Sequence, residues 1–153
     1  MDALAHAILL RELVPAMRAH DFGRFVVFSG GAALMRSAGW SVQYGAVMAC
    51  NGYTVAAALE NRDRNVKINL TAPGPANTEM YPGPLPPTAC HSTVEWLLGL
   101  GEDGPTGRFF WLGAELPMFA DLTGLRYMEG VAPPERFTPL ERVVGDPVRR
   151  EAG

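Results

Sequence analysis

The sequence has little charge, few cysteines and no long apolar run, and each shortage excludes a class of protein. Charged residues make up 19% of the 153 residues and the formal net charge is −3, so the charge favours neither nucleic acid nor an anionic membrane as a partner. Cys50 and Cys90 have no metal-ligand or redox spacing, which indicates small buried apolar residues. No segment is long and apolar enough to cross a bilayer, and no secretory signal pattern is present. These observations predict a cytoplasmic protein with one packed domain.

Helical patterns alternate with short, continuously apolar stretches along the chain. The predicted elements in order are a helix at 2–20, a strand around 25–28, a helix at 42–61, a strand at 66–74, a helix at 91–101 and a strand at 108–113. Asp2 is placed to cap the first helix, and Pro15 predicts a kink or an early end in it. The proline-rich stretch at 77–90 is predicted to be a loop.

Strands that are separated by helices predict an α/β fold, a parallel sheet with right-handed crossovers. We expect about three strands with flanking helices, buried on both faces because their apolar runs are continuous. The sheet and its helices are expected to occupy residues 1–115. Residues 116–153 are expected to form a partly irregular C-terminal extension, with one short strand around 125–128 and a frayed charged end.

Five short motifs follow one another along these elements. They are "LVPAM" at 13–17, "VVFSGGA" at 26–32, "QYGAVMA" at 43–49, "VKINLTAPG" at 66–74 and "TGRFFWLG" at 106–113. Their order and spacing resemble the C-terminal half of the short-chain dehydrogenase/reductase family, over roughly residues 2–115. The resemblance implies a truncated Rossmann-like sheet. The family's glycine-rich turn, which binds the cofactor pyrophosphate, has no counterpart in the sequence, since "SGGAAL" at 29–34 lacks the three-glycine spacing.

The resemblance also implies where the family's tyrosine, lysine, serine and asparagine would lie. Tyr44 matches the tyrosine, but Met48 stands at the position of the lysine. A phenol needs a nearby cation to act as a base near neutral pH, and a thioether carries no charge. Ser29 matches the first, non-catalytic residue of the family's serine pair and Gly30 the catalytic one, although a gap of one residue would move Ser29 onto it. Asp2 stands where the asparagine would be, or simply caps the helix.

Only one residue carries the resemblance toward the cofactor. Thr78, after the Pro-Gly turn, matches the family threonine that helps to bind the nicotinamide amide or the pyrophosphate. The alternative is a turn retained for folding. The resemblance therefore implies no cofactor for this chain alone, and NAD(P) only if a partner supplies the glycine-rich half. The histidines show no pair with metal-site spacing, so no metal is expected.

Half of such a sheet would expose the edge of its first strand, which is an aggregation hazard unless another chain covers it. We therefore expect a protein partner. In the family, the counterparts of helices 2–20 and 42–61 form the main dimer interface, and both segments keep apolar, small-residue faces here. The leading hypothesis is a non-catalytic, truncated accessory subunit that pairs with a full-length family member or with itself.

Two alternatives remain open at this stage. The first is a split or remodelled enzyme, an oxidoreductase, dehydratase or cyclase, that uses Tyr44 and Ser29 while a partner supplies the nucleotide-binding half. The second is a small binding module that forms homodimers on its own.

Overall fold

The helices and strands follow the predicted order, with two short strands added after the third. A computed structural model describes residues 3–29, 38–118, 126, 129–146 and 148. The elements are α1 (Ala3–Ala19), β1 (Gly23–Phe28), α2 (Ser41–Glu60), β2 (Val66–Thr71), α3 (His91–Leu98), β3 (Phe109–Trp111), β4 (Ala114–Leu116) and β5 (Thr138–Pro139), followed by a 3₁₀ turn at Leu140–Arg142. Asp2 and Gly30 lie outside the described residues.

The strands form one open sheet in the order β1-β2-β3-β4-β5. Strand β2 lies between β1 and β3 and pairs with both in parallel, whereas β3–β4 and β4–β5 are antiparallel. The predicted α/β class and its three parallel strands are confirmed, and the sheet is Rossmann-like. Within the described residues β1 pairs only with β2, so its other side is an edge of the sheet.

Helices cover both faces of the sheet. Val66 and Ile68 of β2 pack against Leu10 of α1 and Ala58 of α2. On the other face, α3 contacts β3 through Trp96, whose ring centroid lies 5.4 Å from that of Phe110. Successive side chains of a strand point to opposite faces of the sheet. Thr71 lies three residues after Ile68 on β2, so the two side chains are on opposite faces, and Phe110 pairs in register with Thr71.

Pro15 was predicted either to kink the first helix or to end it early, and the early end is wrong. Helix α1 continues through Pro15 to Ala19. A proline removes one helical hydrogen bond, but Pro15 is exposed, so this loss occurs on the side that water reaches. Val14, one residue earlier, is buried and holds the helix on the sheet.

The described residues of the C-terminal extension, 116–118 and 129–146, include strand pairing and core contacts. Strands β3 and β4 are joined by Leu112 and Gly113, whose φ angles of 44° and 74° are both positive, as a tight two-residue hairpin requires. Phe137 is buried in the same core cluster as Trp111. Asp146 accepts a hydrogen bond from Arg108 at 2.6 Å. The expected strand around 125–128 lies outside the described residues, apart from residue 126, which is not in a strand.

The predicted boundary after residue 115 falls inside β4 (Ala114–Leu116). A division of the chain at that point stays a prediction. No helix in the described part of the chain is long and apolar enough to span a membrane.

Candidate functional site

The candidate site lies at the carboxyl ends of the parallel strands, where open α/β sheets bind ligands. Ser29 directly follows β1, and its backbone N–H donates to the carbonyl of Thr71 at 2.9 Å. The side chain of Ser29 is fully buried. Its hydroxyl donates a hydrogen bond to Oδ1 of Asn51 at 2.6 Å. Ser29 is thereby tied to α2, the helix that also carries Tyr44.

Tyr44, Met48 and Asn51 are spaced by four and three residues, so they share one side of α2. The backbone N–H of Tyr44 donates to the carbonyl of Trp40 at 2.8 Å in the first turn, and its side chain is half-buried. Nδ2 of Asn51 donates to Sδ of Met48 at 3.9 Å, and this thioether sulfur is a weak acceptor. Where the family has a positively charged lysine, this chain therefore has the uncharged sulfur of Met48, which contacts an amide.

Asn51 is the site residue that the sequence analysis missed. It is 3% exposed and joins Ser29 and Met48 through the two ends of its amide. A signal was available, because an amide seven residues after Tyr44 lies on the same side of the predicted helix. Its partner Ser29, however, follows a strand 22 residues away in the sequence, which helical spacing alone does not locate.

No other lysine can replace the one missing at Met48. Lys67 is the only lysine in the sequence. It lies near the amino end of β2, in register with Arg24 of β1, whereas Ser29 follows the carboxyl end of β1. Lys67 is 2% exposed, and burial, followed by the neighbouring positive charge of Arg24, lowers the pKa of its ammonium group. The chain's one lysine amine therefore lies at the opposite end of the sheet.

Thr78 uses its hydrogen bonds within its own loop. Its backbone N–H donates to the carbonyl of Tyr81 at 2.8 Å, and its Oγ1 accepts from the N–H of Tyr81 at 3.1 Å. The loop is closed by Leu85, whose N–H donates to the carbonyl of Pro75 at 3.2 Å. These contacts are what a turn retained for folding would make. A role for Thr78 in cofactor binding stays a prediction.

The structure brings together a thiol and an imidazole that the sequence did not pair. Sγ of Cys50 on α2 lies 3.5 Å from Nδ1 of His6 on α1. Cys50 and Cys90 are both buried, as predicted. Three or more potential metal ligands do not cluster anywhere in the described parts of the chain.

Two comparisons with known proteins bear on this arrangement. A family model described as short chain dehydrogenase matches residues 3–83, more than half of the 153-residue chain. The chain belongs to the short-chain dehydrogenase family. This confirms the resemblance that the sequence motifs indicated, and members of this family normally bind NAD(P).

A solved short-chain dehydrogenase gives the structural comparison. The crystal structure of acetoin dehydrogenase from Enterobacter cloacae matches with a TM-score of 0.53 and 26% identity, covering 62% of this chain and 44% of that chain. The chain thus spans less than half the length of that enzyme. The comparison with curated proteins gave no match.

Proposed function

We propose that the chain is a non-catalytic short-chain-dehydrogenase-like subunit that associates, through α1 and α2, with a full-length member of the family or with a second copy of itself. The observation that carries the proposal is the hydrogen bond from Ser29 to Asn51 beside Met48. This hydrogen bond keeps the serine hydroxyl in the protein interior. The family reaction needs both a cation and a polarising hydroxyl in this region.

The loss of catalysis follows from the charges at this site. General acid–base catalysis by a phenol near neutral pH requires a neighbouring positive charge to stabilise the phenolate. Met48 supplies none, and Lys67 is buried at the other end of the sheet. Full burial of Ser29 also keeps its hydroxyl away from an incoming substrate oxygen. Tyr44 is then left with a packing role on α2.

Association is supported by the outer surfaces of α1 and α2. A Cβ atom placed on Gly45 or on Gly52 of α2 would meet no heavy atom within 4 Å. Small residues let two helices approach closely, since the side chains at the contact set the interaxial distance. Both helices also expose large apolar side chains, namely Leu4, Ile8, Leu9, Leu13, Val42, Tyr53 and Leu59.

Solution mass and solubility test this proposal. The chain is expressed alone and also together with a full-length member of the family, and each sample is measured by light scattering and thermal melting. We expect a discrete homodimer from the chain alone, or aggregation that co-expression relieves by forming a complex. A chain that is monomeric, soluble and cooperatively folded without a partner would contradict the proposal.

The second candidate is the split or remodelled enzyme, and two observations favour it. Tyr44 is half-buried rather than buried. The outer edge of β1 is unpaired within the described residues, so a chain that supplies the nucleotide-binding half could add its strands there. In this candidate, Tyr44 and Ser29 act in a reaction that needs no lysine, and NAD(P) binds to the other chain.

Substitution of Tyr44 separates the two candidates. In the reconstituted complex, Tyr44→Phe removes only the hydroxyl. An accessory subunit predicts unchanged turnover, whereas the split enzyme predicts a loss of turnover of about 10²-fold or more. Tyr81→Phe is the matched control, because Tyr81 is an exposed tyrosine outside α1 and α2.

A further inference from the structure

A cleft of about 430 Å³ lies between the β3–β4 hairpin and the C-terminal segment. One wall is formed by Leu112, Gly113 and Ala114, and the other by residues 132–135 with Phe137, Pro139 and Arg142. The volume is within the range of about 300–1,000 Å³ that is typical of small-molecule sites. The cleft begins directly after the carboxyl end of β3 and lies outside residues 3–83, which match the family model.

The hairpin wall is preformed. Leu112 adopts a φ of 44°, in the left-handed region that side chains rarely occupy. The following residue holds it there from two sides. The N–H of Gly113 donates to Oγ1 of Thr93 on α3 at 3.1 Å, and its carbonyl accepts from the N–H of Leu140 at 3.0 Å. A ligand would therefore meet a wall that needs little further ordering.

The second wall is apolar and stiff. Pro133, Pro134 and Pro139 line it, and the fixed φ of proline leaves little backbone entropy to lose on binding. Phe137 is 8% exposed and belongs to the hydrophobic core. Its N–H donates to the carbonyl of Pro134 at 3.0 Å, which anchors the wall to the body of the protein.

Two charged side chains complete the lining, Arg142 and Glu135. Neither makes an ion pair with any other residue that the structure describes. We propose that the cleft binds a small organic monocarboxylate with an apolar body. The carboxylate pairs with the guanidinium of Arg142, which matches it with two parallel hydrogen bonds. The apolar body lies against Leu112 and the prolines, while Glu135 repels a second negative charge.

The test uses the full chain and three probes that share a phenyl group. They are 3-phenylpropionate, with one carboxylate, phenylsuccinate, with two, and phenethylamine, with an ammonium. Binding is measured by saturation-transfer NMR and by titration. We expect 3-phenylpropionate to bind more tightly than the other two. Arg142→Gln should weaken its binding by about tenfold, whereas Arg62→Gln, the same charge change on an exposed arginine outside the cleft, should leave it unchanged.

A second variant tests the role of the carboxylate. Glu135→Gln should raise the affinity for phenylsuccinate relative to 3-phenylpropionate, because it removes a repulsion that the dianion feels more strongly than the monoanion. The inference is overturned if 3-phenylpropionate shows no binding up to a concentration on the order of 10 mM, if phenethylamine binds as well, or if the two arginine variants behave alike. None of the lining residues belongs to α1 or α2, so these outcomes do not depend on the proposed association.

Discussion

At the scale of single residues, the Ser29–Asn51 pair decides how the candidate site is understood. A fully buried hydroxyl that already has a hydrogen-bond partner contributes to the stability of the fold. A substrate could not reach it without a rearrangement of the surrounding residues. In a family enzyme, the same region must present a hydroxyl and a cation to the reacting oxygen. Here the amide of Asn51 lies between the hydroxyl and an uncharged Met48 sulfur.

We predict that Ser29→Ala lowers the free energy of unfolding by about 1–3 kcal/mol, because it leaves the buried Oδ1 of Asn51 without this donor. Urea denaturation monitored by circular dichroism measures the change. Ser92→Ala, at an exposed position at the start of α3, is the control and should change the free energy by less than about 0.5 kcal/mol. Equal effects of the two substitutions would show that the buried bond does not hold the site together.

At the scale of elements, the C-terminal ends of α1 and α2 are joined by Arg18. Its guanidinium donates to both carboxylate oxygens of Asp63, at 2.7 Å each, and also to the carbonyl of Glu60 at 3.3 Å. Such a bidentate contact restrains the angle between the helices better than a single hydrogen bond would. The hydrogen bond from Arg18 lowers the pKa of the Asp63 carboxyl below its ordinary value.

We predict that Asp63→Asn costs about 1 kcal/mol of stability at pH 7, a small value because both partners reach solvent. The folded-state pKa of Asp63 is depressed, so its contribution is fully present above the unfolded-state pKa. It is lost as the pH falls through the lower, folded-state pKa. Unfolding free energies of the two proteins, measured from pH 7 downward, should therefore converge in that acidic window. A difference that stayed constant with pH would assign the effect to packing instead. Glu12→Gln, in an exposed pair on α1, is the control.

The sequence alone predicted the elements whose residue patterns are local. The apolar run of β1 and the glycine that follows β3 are visible without knowing any partner. Strands β4 and β5 have three and two residues, and such short segments are strands only because the chain returns to pair them. The same reason explains the contacts that were missed. Asn51 meets Ser29, and Cys50 meets His6, across 22 and 44 positions of sequence.

At the scale of the whole molecule, the two edges of the sheet differ in how much backbone they leave for another chain to pair with. The C-terminal segment runs past β4, pairs as β5, and reaches Arg108 and Thr106 through the carboxylate of Asp146, with distances of 2.6 Å and 3.4 Å. A strand of two residues that includes Pro139 offers little edge for another chain to extend. The opposite edge, β1, has six residues, so it offers more backbone groups for another chain to pair with. Association is therefore expected at the β1 side of the molecule.

The glycines of α2 give the sharpest test of that expectation. We predict that Gly45→Leu combined with Gly52→Leu abolishes the homodimer or the complex, because leucine side chains would hold a partner helix away from the surface. The folded chain itself should not be destabilised. Both added side chains point into open space, and leucine is a better helix former than glycine by up to about 1 kcal/mol per residue.

Light scattering gives the mass of the double variant, and circular dichroism shows whether its helices are retained. Ser92→Leu is the matched control, since it adds the same side chain to an exposed position of α3 on the other face of the sheet. Retention of the assembly by the glycine variant, with normal helicity, would exclude this face of α2. The β1 edge would then be the interface to test, because backbone pairing there does not depend on the side chains of α2.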